Sequence, residues 1–257
     1  MDILQAAILG VVEGLTEFLP ISSTGHLILA SRLLGLEQTE FLKTFEIAIQ
    51  FGAILSVVAL YWRRLLVDPR VMARVAAAFV PTAILGFGLY KIVKKYLLSS
   101  ETVVLWALVV GGIVLIVFER FHKEKDDHLD DVAAIPFSRC VLLGVFQALA
   151  MIPGVSRSGA TVIGGLALGL KRRTIVEFSF LLAVPTMAAA TAYDLLKTAP
   201  SFGGGELKLL AVGCVTSFVV AILAIKLFLK FVQNHTFAAF GVYRILAALA
   251  FWAFVSR

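Results

Sequence analysis

Apolar residues run along this chain in long, nearly unbroken blocks, and the breaks between them are short and either basic or rich in Gly, Pro and Ser. Blocks of about 20 apolar residues match the length a helix needs to cross a hydrocarbon core. They predict spans at about 41–62, 71–90, 102–118, 174–196, 207–230 and 236–255. Two further blocks are interrupted. Residues 2–19 predict a helix ended by Pro20, Ser22-Ser23-Thr24-Gly25 is cap chemistry, and a second short helix follows until Gly35. Each arm is short for a span, so 2–35 reads as a re-entrant hairpin with its irregular tip at membrane depth. Such a tip is tolerated only where it is buried in protein or faces a wet cavity. Residues 136–170 repeat the plan.

The predicted fold is an all-α integral membrane protein of two repeats, 1–118 and 136–257, each a re-entrant hairpin followed by three transmembrane helices. The strongly polar stretch Glu119 to Asp131 mixes both signs of charge without an apolar period, so 119–135 reads as a solvated linker on the cytoplasmic side. Three spans is an odd number. The second hairpin therefore enters from the membrane face opposite the first, giving an inverted repeat whose tips can meet near the midplane.

Composition supports this. A chain 60% hydrophobic and 16% charged, with mean hydropathy +0.95, is far from a soluble domain. The N-terminus lacks signal-peptide character and reads as retained. Net charge is +6, but the cations sit in short loops, which excludes a nucleic-acid-binding stripe and points to lipid headgroups. Loops at 63–74, 120–139 and 171–173 with Lys226 and Lys230 collect 13 Lys and Arg, and the other side collects 8. The richer side should be cytoplasmic, leaving the first hairpin and both termini outside. Cys140 and Cys214 show no metal or disulfide spacing.

Candidate chemistry concentrates in Glu13-Gly-Leu-Thr-Glu17-Phe-Leu-Pro20-Ile-Ser22-Ser23-Thr24-Gly25-His26, since ionisable groups at bilayer depth cost several kcal/mol and mark functional sites. The block returns, altered, 134 positions later, with Pro153-Gly-Val-Ser156-Arg157-Ser158-Gly159-Ala-Thr161 at its end. Both copies keep Ser-x-(Ser/Thr)-Gly at a helix start, an anion cradle of hydroxyls, free N–H groups and a helix dipole. Opposite Glu13, Glu17, Ser23 and His26 the second copy has Gln147, Met151, Arg157 and Ala160. Carboxylates and imidazole thus come from one half and the guanidinium from the other.

That set suits a pyrophosphate. Glu13 and Glu17, on one helix face, can share a divalent cation, Mg or Ca, that bridges phosphate oxygens. Arg157 can fork two phosphate oxygens, with Ser22, Thr24, Ser156, Ser158 and Thr161 as further phosphate ligands. Ser23, His26 or metal-bound water remain open as the attacking group. Taken singly, the Glu pair also fits helix contact or ion coupling, His26 a satisfied polar residue and Arg157 a snorkelling anchor. Glu46 and Gln50, four apart on the first full span, either line the site or serve structure, and Tyr243-Arg244 reads as an interfacial anchor.

The two blocks, together with Phe45-Glu46 and Gln50, resemble the signature motifs of the bacterial undecaprenyl pyrophosphate phosphatase family of the bacitracin-resistance type, over the full length. The resemblance implies hydrolysis of undecaprenyl pyrophosphate to undecaprenyl phosphate, which recycles the lipid carrier for peptidoglycan and cell-wall synthesis. It also implies bacitracin resistance, a divalent cation, a multi-pass inner-membrane location and a site open to the periplasm. By position, Glu13 and Glu17 match the acidic motif, Ser23 and His26 the nucleophile region, and Ser156, Arg157 and Thr161 the phosphate loop. The competing expectation is an inverted-repeat transporter or flippase for a lipid phosphate or other anion, using the same residues without bond cleavage. A homo-oligomer is compatible with either.

Overall fold

The computed structural model describes residues 1–96, 101–125, 127–198 and 204–255. Among them run α1 (Ile3–Thr16), α2 (Ser23–Leu33), α3 (Glu40–Leu66), α4 (Pro69–Tyr96), α5 (Glu101–Phe121), α6 (Phe137–Ala148), α7 (Arg157–Ala167), α8 (Arg172–Thr198), α9 (Gly204–Phe231) and α10 (Ala238–Val255). The only β contact among the described residues is an isolated bridge between Leu129 and Leu170. The all-helical expectation therefore holds. Five helices, α3, α4, α5, α8 and α9, are long and apolar enough to cross a membrane. α10 is apolar but shorter, beginning at Ala238 rather than 236. Outward-facing side chains are apolar, as contact with lipid requires, among them Phe87 on α4, Leu227 on α9 and Leu246 on α10.

α1 starts on a reciprocal capping box. The Gln5 N–H donates to Asp2 Oδ1 at 2.8 Å and the Asp2 N–H to Gln5 Oε1 at 2.8 Å. It ends at Thr16, short of the expected 19, ahead of Pro20, since the residue before a proline is disfavoured in a helix. Residues 17–21 form the turn that carries Glu17 to the tip. At 119–135, where a solvated linker is expected, several charged groups find partners on the protein. α5 continues to Phe121, and Glu119 is buried, accepting from both terminal nitrogens of Arg172, one at 2.9 Å, and from the Phe237 N–H at 3.1 Å. Glu124 accepts the Arg172 N–H at 2.8 Å, and Leu129 exchanges backbone bonds with Gly169 and Lys171. Glu119 and Glu124 thus find Arg172, and Asp130 finds Lys171, at the start of α8.

Packing between the halves is reciprocal. α1 lies on α9 while α6 lies on α4, and α3 pairs with α8 as α5 does with α10. Small residues allow the close approaches. A Cβ at Gly10 would stand 2.6 Å from the Gly213 carbonyl oxygen and one at Gly14 2.7 Å from that of Ser217. Gly144, the sequence counterpart of Gly10, sits against the Ala78 carbonyl, and Thr82 Oγ1 donates to the Gly144 carbonyl at 2.8 Å. Phe18 is fully buried edge-on to Phe180 at 5.2 Å, fixing the first tip to α8. Gly14→Leu should therefore lower the melting temperature in detergent, an overpacking cost of about 1–3 kcal/mol. Gly88→Leu, where nothing lies within 4 Å of a new Cβ, should leave it unchanged. Equal melting of both variants would refute tight α1–α9 contact.

Candidate active site

The two tips meet. Glu17, at 7% exposure, lies between them, and each of its oxygens is held by a residue from a different half. Ser23 Oγ donates to Oε2, and Arg157 Nη2 donates to Oε1 at 3.1 Å. Ser23 and Arg157 occupy corresponding positions of the repeated block. Arg157 is steadied by Nη1 donating to the Ser179 carbonyl at 2.7 Å and by the Phe18 ring, 5.9 Å from its guanidinium carbon. The tips are also tied directly, Ser158 Oγ donating to the Phe18 carbonyl at 2.9 Å.

A cleft of about 160 Å³ opens here, lined by Glu17, Ser22, Ser23, Thr24 and Gln50 from the first half and by Ala150, Pro153, Gly154, Ser156, Arg157 and Met187 from the second. Ser22 and Ser156 precede α2 and α7 with φ of 71° and 76°, a left-handed conformation that costs a non-glycine residue roughly 1–3 kcal/mol. These corresponding serines carry the same distortion, which the surrounding contacts must enforce. Both helices begin at the common cleft, which Ser22, Ser23, Ser156 and Arg157 line. Ser156 Oγ accepts the Gly159 N–H at 3.1 Å.

Other expected residues stand elsewhere. Thr161 is fully buried and donates to the Arg157 carbonyl at 2.8 Å, and Ser158 is used between the tips, so neither hydroxyl lines the cleft. Thr161 bonds back to the carbonyl one turn earlier in its own helix, as helical threonines do, and Ser158 reaches the opposite tip. Glu46 accepts from Ser31 Oγ at 2.6 Å and only Gln50 of that pair reaches the cleft. His26 lies outside the lining. Its Nδ1 meets the Ser22 carbonyl at 2.8 Å and its Nε2 the Tyr243 hydroxyl at 2.8 Å, with the two rings stacked. A carbonyl only accepts, so Nδ1 carries the proton and, in the neutral ring, Nε2 accepts from Tyr243. Both nitrogens are occupied.

Glu13 is completely buried and neither of its oxygens has a hydrogen-bond partner. The charges near enough to act on it are Glu17, Glu46 and Arg157. A carboxylate orphaned in this way calls for a proton or a cation. Among the described residues no group of three His, Cys, Asp or Glu side chains is arranged to hold a metal. Two hard carboxylates fit a cation whose other ligands are water and substrate oxygens, as small divalent ions favour, rather than one caged by protein. In the second half the position of Glu13 is Gln147, which donates to Thr82 and Thr186 and serves packing.

For Arg244 the expectation of an interfacial anchor is overturned. Arg244 is 1% exposed and its guanidinium reaches the backbone of both tips.

The model of the family described as bacitracin resistance protein BacA matches residues 6–250. This chain belongs to the BacA family. Among its relatives, the undecaprenyl-diphosphatase of Persephonella marina is 55% identical over 255 residues, 99% of this chain and 100% of that protein. Those of Aquifex aeolicus and Sulfurihydrogenibium sp. are 52% identical over 250 residues and 53% over 252, covering 97% and 98% of this chain and 97% and 99% of theirs. The match spans every residue that lines the cleft, from Glu17 to Met187.

Proposed function

We infer that this chain is an integral-membrane undecaprenyl-diphosphatase: it releases the terminal phosphate of undecaprenyl pyrophosphate and confers bacitracin resistance, since that antibiotic sequesters the same lipid. Family membership and full-length relatives with that activity support it. The observation that carries the chemistry is Glu17 held between Ser23 and Arg157 at the cleft.

Ser23 Oγ attacks the terminal phosphorus while its proton passes to Glu17 Oε2. The bond from phosphorus to the bridging oxygen breaks, and undecaprenyl phosphate leaves as a phosphate anion that needs no strong general acid. Arg157 and the amides beginning α2 and α7 stabilise the charge on the terminal oxygens as it develops. A water then displaces Ser23 from phosphorus, Glu17 returns the proton to Oγ, and inorganic phosphate departs. Occupation of both its nitrogens favours His26 as a support for the Ser22–Ser23 turn over His26 as attacker. Glu13 with Glu17 would hold the divalent cation, which when bound neutralises charge on the pyrophosphate. Ala150, Pro153 and Met187 give the cleft an apolar flank for the first prenyl units.

The arms α1 and α2, 14 and 11 residues long, rise only about 21 and 16 Å, short of a bilayer core of ~30 Å. This supports re-entrant hairpins. Three intervening helices and the reciprocal pairing of α1 on α9 and α6 on α4 support an inverted repeat, with the boundary at 119–135. The Lys and Arg asymmetry supports an inner-membrane orientation with the cleft reached from the periplasm.

The test is phosphate release from farnesyl or undecaprenyl pyrophosphate by purified protein. Activity should disappear on chelation with EDTA, return with Mg or Ca, and be lost in Glu17→Gln. Labelled-lipid counterflow in proteoliposomes without phosphate release would replace this reading with transport.

A further inference from the structure

Arg244 stands in the middle of an apolar helix, almost wholly buried, and among the described residues no carboxylate pairs with it. A guanidinium has five N–H donors, and here all five end on backbone carbonyls. Nε donates to Leu108 at 3.3 Å. Nη1 donates to Pro20 at 3.2 Å and Val155 at 2.9 Å, and Nη2 to Ala107 at 2.8 Å and Gly154 at 2.8 Å. Pro20 lies two residues before Ser22 on the first tip, while Gly154 and Val155 immediately precede Ser156 on the second. Ala107 and Leu108 belong to α5, where Gly111 leaves the gap that the guanidinium fills. Gly154, at φ 92°, brings the second tip within reach.

Burying a charge without a counter-ion is costly unless every donor is satisfied. A satisfied one, in return, locks whatever it touches. What Arg244 touches is the chain entering both distorted serines. The peptide unit is planar and trans, so its C=O and N–H point to opposite edges. With the Val155 carbonyl drawn to Arg244, the Ser156 N–H of the same peptide faces away from the guanidinium.

We propose that Arg244 is a positioning residue of the phosphatase, a clamp that joins the two tips from behind and holds the Ser22 and Ser156 turns in the conformation that aims the anion cradle. This rests on the phosphatase reading above. It touches no substrate and acts through the backbone. Because the lipid tail and Arg157 supply ground-state binding, the clamp acts mainly on alignment for reaction, and loss of alignment costs about 100-fold in rate.

The experiment is steady-state phosphate release by wild type, Arg244→Lys and Gly111→Ala, with melting in detergent measured in parallel. Lysine keeps the charge but offers three donors from one point, so at least two carbonyls lose their partner. Gly111→Ala leaves Arg244 in place and displaces its guanidinium from α5. Both variants should lose about 100-fold in kcat with KM within about threefold. Methylguanidinium should restore at least tenfold of the activity lost in Arg244→Gly and leave wild type unchanged. Wild-type kcat in a folded Arg244→Lys or in Gly111→Ala, or losses confined to KM, would overturn the clamp. If Arg244→Lys does not fold, Gly111→Ala decides. A wild type that releases no phosphate refutes the phosphatase reading instead, so the two failures are distinguishable.

Discussion

Ser23→Ala is expected to reduce kcat for phosphate release by about 10⁴-fold or more, the scale seen when an enzyme loses its nucleophile and keeps its binding groups. The reason is positional. Ser23 is the first residue of α2, it lines the cleft, and its hydroxyl already donates to Glu17 Oε2. Of the hydroxyls lining the cleft, those of Ser22, Thr24, Ser23 and Ser156, only that of Ser23 is placed on a carboxylate. KM should move little, because Arg157 and the helix amides remain. Rapid quenching of wild type with labelled substrate should trap an acid-stable phosphoserine, absent from Ser23→Ala. An acid-labile adduct that persists in Ser23→Ala would transfer the attack to His26 and require Tyr243 to release Nε2.

Arg157→Ala should lower kcat/KM by about 10³-fold, the range for removing a principal donor to transition-state charge. It should also be the more destabilising of the two, since it leaves the buried Glu17 carboxylate without its cation, an imbalance that commonly costs roughly 3–5 kcal/mol. These effects can be separated. Glu17→Gln combined with Arg157→Ala should recover much of the melting temperature and none of the activity. Arg157→Lys should remain well below wild type, because a lysine cannot span Glu17 Oε1 and the Ser179 carbonyl together as the planar guanidinium does. Near-normal turnover in Arg157→Ala would remove the second half from the chemistry.

The limits of the helices were largely legible, because a span's length is set by the bilayer and its ends by Pro, Gly and caps, all local properties. The altered repeat was legible too. Ser22 and Ser156, matched by spacing alone, share a backbone distortion, and Ser23 and Arg157, matched in the same way, hold opposite oxygens of one carboxylate. Thr161 and Ser158 were assigned to phosphate because a hydroxyl beside a cradle looks the same in sequence whichever carbonyl it bonds. Arg244 was assigned to the interface although its signal was present: a lone arginine with apolar residues on both sides, within a span. Its partners are carbonyls, which no residue type advertises.

By itself, the amino-acid order determined an all-helical membrane chain, where its breaks fall, and which residues could meet a pyrophosphate, since these follow from hydropathy, cap chemistry and the expense of polar groups in lipid. Only the tertiary structure decided that Glu17 joins the two halves, that His26 is already engaged by Tyr243, that Glu13 is sealed in without a partner, and that Arg244 binds the tips together. Those outcomes depend on contacts between segments far apart in sequence, such as Glu17 with Arg157, His26 with Tyr243 and Arg244 with Pro20, and so on geometry that side-chain identity leaves open.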